Sequence, residues 1–202
     1  MQASAPRLVL ASSSASRRAV LEGAGLTFSV AAPAVDEAEV KRSATAEGLA
    51  PDATALLLAE LKAQRIARRD PEALVIGADQ LLVCEGRRFD KPADLAQARA
   101  HLLALRGRPH SLPTAVVCLR GGRRVWHHLA RPRLTMRAFS DAFLDAYVAA
   151  EGAALTTTVG AYRLEGPGAH LFAEVTGEHA AILGLPLLPL LEFLRQHGVL
   201  LG

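Results

Sequence analysis

Hydroxyls, backbone donors and two guanidinium groups meet in LVLASSSASRR (residues 8–18), where three serines and Arg17 and Arg18 follow directly on an apolar run. That combination suits an anion, because helix N-termini and Arg forks both bind phosphate oxygens. It equally suits a plain helix cap, with a serine satisfying orphan N–H groups and both arginines solvated. Asp79 ends the apolar run VIGAD, which puts a carboxylate at the carboxyl end of a buried strand, where open α/β sheets place their ligands. A turn-capping aspartate is the alternative there. Asp36 and Glu37 in VDEAE (35–39) are an acidic pair of the kind a hard cation such as Mg²⁺ requires, although acidic pairs in loops are most often solvated. Lys62, in an Ala- and Leu-rich segment, and Lys91, in FDKPAD, each read on their own as surface lysines.

Other chemistries are absent from the pattern. His110, His127 and His128 have no HExxH or comparable spacing, and no GxSxG nucleophile elbow occurs. VGAYRLEGPG (159–168) is glycine-rich without the spacing of a P-loop. The two cysteines, Cys84 and Cys118, lie in apolar strand-like runs and read as buried thiols.

The elements that must position these residues alternate. RLVLA (7–11) reads as a strand, 17–24 as a helix closed by Gly25, and TFSVA (27–31) as a strand. Residues 52–68, free of Gly and Pro, predict a helix, and ALVIGA (73–78) a strand buried on both faces. LLVC and the turn EGRR follow, then a helix over 94–105 with Asp94 as cap and Gly107 as stop. SLPTAVVCL and RVWHHLARPRLTM flank RGGR as the two arms of a hairpin, the second held to an edge or bulge by Pro132. Ser140 caps a helix to about residue 150, and the last helix spans about 187–197. The chain of 202 residues is half hydrophobic and 21% charged, so it is globular, and one α/β domain with a mixed sheet is expected. Its net charge of +3 would suit an anionic ligand, but with six Phe, two Tyr and one Trp and no interleaved aromatic motif, no nucleic-acid partner is expected. No apolar run is long enough for a membrane helix, and MQASAPR has no signal-peptide pattern, so a cytoplasmic protein without membrane association is expected.

LASSSASRR, VDE, ELKA, VIGADQ, DKPAD, LRGRPHSLPTAV, GAYRLEGPGAHLF and ILGLPL occur in the order found in the Maf family, which this chain resembles over residues 8 to 195. The resemblance implies one Maf-like domain over residues 1–202, with an elongated mixed sheet, flanking helices and two lobes around a central cleft, similar to inosine triphosphate pyrophosphatases. It implies a nucleoside triphosphate pyrophosphatase that cuts between the α- and β-phosphates with Mg²⁺ or Mn²⁺, and a homodimer by family likeness. Position by position, Ser12, Arg17, Arg18, Lys62 and Lys91 match phosphate-binding positions, Glu37 and Asp79 the metal site, and Asp79 also the general base. Ser16, Gln80 and Glu165 fall at the positions that differ between the branches acting on 7-methyl-GTP and on UTP and dTTP. Gln80 and Glu165 agree with the 7-methyl-GTP branch, and Ser16 with neither. Ala15 stands where the family usually has proline. The competing reading is a cell-division regulator that acts by binding.

Overall fold

The computed structural model describes residues 2–202. In chain order the first elements are β1 (Leu8–Ala11), α1 (Ala15–Gly23), β2 (Ser29–Val30), α2 (Glu37–Ala46), α3 (Pro51–Ala67), β3 (Leu74–Gln80), β4 (Leu82–Cys84) and β5 (Arg87–Phe89). Then come α4 (Leu95–Leu105), β6 (Pro109–Ser111), β7 (Thr114–Arg120), β8 (Arg123–Ala130), β9 (Arg133–Met136), α5 (Asp141–Glu151), β10 (Phe172–Thr176), α6 (His179–Ile182) and α7 (Leu187–Gln196). The mixed α/β class read from the sequence holds, with the strands shared between two five-stranded sheets.

Two compact units divide the chain. One runs through Gln80 and takes in Thr114–Ala130 and Glu178–Gly202; the other is Leu81–Pro113 with Arg131–Gly177. The first unit's sheet has the order β2-β1-β3-β7-β8, parallel in β2, β1 and β3 and antiparallel from β3 onward. The second unit's sheet, β10-β9-β6-β4-β5, is antiparallel throughout. Prolines mark two of the three changes of sheet. Pro113 lies between β6 and β7, and Pro132 between β8 and β9, because a residue without an N–H cannot continue a ladder. The hairpin expected around RGGR is therefore β7–β8 alone, and RLTM, expected in its second arm, forms β9 of the other sheet. Its turn is made by Gly121 and Gly122 at φ 56° and 73°, the pair of positive angles that a tight hairpin requires.

Strand β3 organises the first unit through its period of two. Leu74, Ile76 and Ala78 point into a core with Leu8, Leu10, Val116, Cys118, Leu190 and Phe193. On the opposite face Gly77 meets α3 at backbone distance: a Cβ there would lie 2.3 Å from the Ala59 carbonyl oxygen and 2.8 Å from Ala63 Cβ. Only glycine opposite a run of alanines allows helix and strand to approach so closely. Helix α2, not among the elements expected from the sequence, is started by Asp36, whose Oδ1 accepts from Glu39 N–H at 2.9 Å.

Candidate active site

The serine cluster divides its labour, and the cap reading holds for Ser14. Ser14 is the cap of α1, accepting from Arg17 N–H at 3.4 Å. Ser12, 4% exposed, accepts from Ser14 N–H at 3.2 Å and from Arg17 Nη1 at 3.3 Å. Arg17 Nε donates to the Gly184 carbonyl at 2.8 Å, so the guanidinium is fixed from two sides through Nε and Nη1. Burial lowers the Arg17 pKa from its ordinary value, and the negative fields of Asp79 and Glu37 oppose that shift. The group remains charged. Arg18 turns to solvent, 3.6 Å from Glu22, and lines a cavity of about 170 Å³ with Ser12, Ser13, Ser14, Ala15 and Val30. Ser16 is half-buried in the first turn of α1.

The acidic pair divides as well. Asp36 caps α2, whereas Glu37, its first residue, reaches Lys62 Nζ at 2.7 Å. Lys62 is 4% exposed, contrary to the surface position its residue type suggests on its own. Its Nζ also lies 2.6 Å from Asp79 Oδ1. Asp79 stands on the same face of β3 as Gly77, the face that packs on α3, and is 3% exposed. Its Oδ2 is buried with no hydrogen-bond partner. One unit therefore brings Ser12, Arg17, Glu37, Lys62 and Asp79 together, from four separate elements and the loop after β1.

Gln80, one residue on, faces the other way. Its Nε2 donates to Thr114 Oγ1 at 2.9 Å and to the carbonyls of Ala181 and Ile182 at 3.0 and 3.1 Å, while Thr114 Oγ1 donates to Ala181 at 3.2 Å. Three acceptors around one amide nitrogen commit its two hydrogens to Thr114 and the 181–182 segment. Gly77, Gly184 and Thr114 were not singled out from residue type. Gly77 carried the one available signal, a glycine inside a continuous strand, which marks a close approach.

The remaining two candidate residues belong to the second unit. Lys91 is exposed in the segment between β5 and α4, the latter capped by Asp94 accepting from Gln97 N–H at 2.8 Å. Glu165 is exposed in a turn whose neighbours are pinned. Tyr162 Oη and His110 Nε2 lie 2.9 Å apart in a buried pair, and Arg163 Nε lies 3.4 Å from Glu151. Burial pushes the Tyr162 phenol up and holds His110 down at about 4, so that pair is neutral at pH 7. No group of three or more His, Cys, Asp or Glu side chains suited to a metal occurs among the described residues, and no helix among them is long and apolar enough to cross a membrane.

The Maf-like protein family model matches residues 7–197. A "Nucleoside triphosphate pyrophosphatase" of Granulibacter bethesdensis is 57% identical over 194 residues, covering 96% of this chain and 98% of that one. Another of the same name, from Rhodospirillum rubrum, is 55% identical over 202 residues and all of both chains. A "7-methyl-GTP pyrophosphatase" of Rhizobium meliloti is 45% identical over 195 residues, 96% of this chain and 98% of that one. With a match that begins at the first strand, ends past the last helix and takes in every block of the resemblance, the chain belongs to the Maf family.

Proposed function

We propose that this chain is a nucleoside triphosphate pyrophosphatase, hydrolysing the bond between the α- and β-phosphates to a nucleoside monophosphate and pyrophosphate. The observation that carries the reading is the convergence of two carboxylates, a buried lysine and an anchored arginine, with one carboxylate oxygen buried and unpartnered. Phosphoryl chemistry asks mainly for positioning and charge neutralisation, and these residue types supply both.

A divalent cation fits the donors present. Mg²⁺ and Mn²⁺ take oxygen ligands, and Mg²⁺ is held through one or two carboxylates together with substrate phosphates. Buried Asp79 Oδ2 without a partner is the kind of atom such an ion satisfies, and Glu37 and Asp79 would hold it. When bound, the ion would neutralise phosphate charge and make a nearby water more acidic. The chain's own groups do the rest. Arg17 presents Nη2 to a phosphate oxygen while its other nitrogens stay anchored to Ser12 and Gly184. Lys62 holds Asp79 Oδ1, which orients Oδ2 to face the cation or to take a proton from the attacking water. Arg18 supplies further positive charge to the polyphosphate, and the family resemblance assigns Lys91 a phosphate-binding role.

We place 7-methyl-GTP first among substrates. A carboxylate at position 165 can accept from the adjacent N1–H and amino donors of guanine, and methylation at N7 makes the base cationic and strengthens both contacts. Uracil and thymine would turn carbonyl oxygens toward it, which disfavours UTP and dTTP. With the Gln80 amide nitrogen committed elsewhere, Glu165 carries most of that discrimination. Two relatives, from Rhizobium meliloti and Rhizobium johnstonii, bear the name "7-methyl-GTP pyrophosphatase". The test is kcat/KM for pyrophosphate release from 7-methyl-GTP, GTP, UTP and dTTP with Mg²⁺ or Mn²⁺. The expected order is 7-methyl-GTP over GTP, and both over the pyrimidines; faster turnover of UTP or dTTP sinks the base assignment.

A further inference from the structure

We infer that Lys62 is the resident cation of the Glu37–Asp79 pair, so that the site admits a divalent cation only together with a phosphate-bearing ligand. The inference rests on the pyrophosphatase reading above and adds an order of binding to it. One ammonium spans two carboxylates from different elements, at 2.7 Å to Glu37 on α2 and 2.6 Å to Asp79 on β3. Lys62 and Asp79 are both almost fully buried, where charges interact far more strongly than in water. Arg17 feels the fields of the same two carboxylates. The four groups sum to zero charge: Glu37 and Asp79 contribute −2, Lys62 and Arg17 +2.

At that balance a divalent cation gains no net attraction from the site and must sit beside two monocations. A polyphosphate changes the balance. It brings several negative charges and offers Lys62 new acceptors, and an ammonium on a flexible four-carbon stem can redirect its donors without leaving its helix. The anchored fork of Arg17 lacks that freedom, because Nε and Nη1 are already bonded. Lys62 is thus the mobile member of the cluster and a positioning residue for Asp79: it keeps the two carboxylates together and holds the cation off until phosphate arrives. A merely structural ion pair needs one carboxylate, whereas this ammonium spans two.

The test is Mn²⁺ binding by the full chain without nucleotide, read from the electron paramagnetic resonance signal of free Mn²⁺. Lys62→Met and Lys62→Gln leave the site at −1 and should bind Mn²⁺ at least tenfold more tightly than the wild-type chain. Lys62→Arg keeps the charge and should not. Neutral variants that bind Mn²⁺ no more tightly than wild type, while folded by circular dichroism, overturn the inference. The wild-type chain gives a second reading that needs no variant. Ultrafiltration should show Mn²⁺ retained by protein when inorganic pyrophosphate is added and little retained without it; one tightly held Mn²⁺ in the absence of phosphate overturns the inference. Failure of the underlying pyrophosphatase reading has a different signature, namely no pyrophosphate released from any nucleotide tested.

Discussion

Replacing Gly77 with alanine tests the step from packing to chemistry, because one methyl group would be inserted between the strand that carries Asp79 and the helix that carries Lys62. The new Cβ would lie 2.3 Å from the Ala59 carbonyl oxygen, 2.8 Å from Ala63 Cβ and 3.1 Å from Ala63 N. Favourable contacts between heavy atoms begin at about 3.5 Å, so α3 must retreat by about 1 Å. Overpacking of this kind costs about 1–3 kcal/mol, and here the upper end applies, because the obstacle is helix backbone instead of the far end of a flexible side chain. For a chain of this size each kcal/mol lowers Tm by about 2–4 °C, so Gly77→Ala should unfold about 6–12 °C below wild type. The same retreat would stretch the 2.6 Å contact between Lys62 and Asp79. Misplacement by about 1 Å in a catalytic site can lower turnover about 10²-fold. Thermal circular dichroism and pyrophosphate release, measured on one preparation, check both halves. A variant with Tm within about 1 °C of wild type and a rate within about twofold would refute the reasoning.

Asp79→Asn should fold, since Lys62 keeps Glu37 at 2.7 Å, and should lose about 10²–10⁴-fold in turnover with its carboxylate gone. Arg17→Ala and Lys91→Ala should weaken binding and rate by the same factor for every base, because phosphates carry no base identity; a change of base preference at constant overall rate contradicts their placement. His110, held at about 4 by burial, binds a proton in the unfolded chain below about 6.5 but not in the folded one until about pH 4. Stability from this residue is therefore intact above pH 6.5 and falls by about 3 kcal/mol as pH drops to 4. Urea unfolding at pH 7 and pH 5 should show His110→Gln, which can still bond Tyr162, with a shallower pH dependence than wild type.

Much of the scaffold was legible in the sequence. The helix expected at 52–68 is Pro51–Ala67, that at 94–105 is Leu95–Leu105, and the last is Leu187–Gln196. These segments have strong apolar periodicity or clear caps, which local sequence displays directly. TFSVA shrinks to Ser29–Val30, because its pairing is set by β1 and not by its own composition. The assignment of strands to two sheets was not legible, since it depends on partners distant in sequence, although Pro113 and Pro132 stand at two of the three changes. Lys62 is the instructive case. Its residue type argues for the surface, but Leu58 and Ile66 lie four residues to either side and both are buried, so helical spacing puts the lysine on the apolar face. The opposite orientations of Asp79 and Gln80 follow from strand alternation once Asp79 is known to lie inside β3 and not beyond its end.

Product analysis in ¹⁸O-labelled water tests the assignment of this cluster most directly. The purified chain is incubated with 7-methyl-GTP or GTP and Mg²⁺, and the products are separated and weighed by mass spectrometry, beside an Asp79→Asn sample. The assignment predicts nucleoside monophosphate and pyrophosphate in equal amounts, one solvent oxygen incorporated in total, and near-complete loss of both products in the variant. Nucleoside diphosphate with inorganic phosphate, or undiminished product from Asp79→Asn, would contradict it.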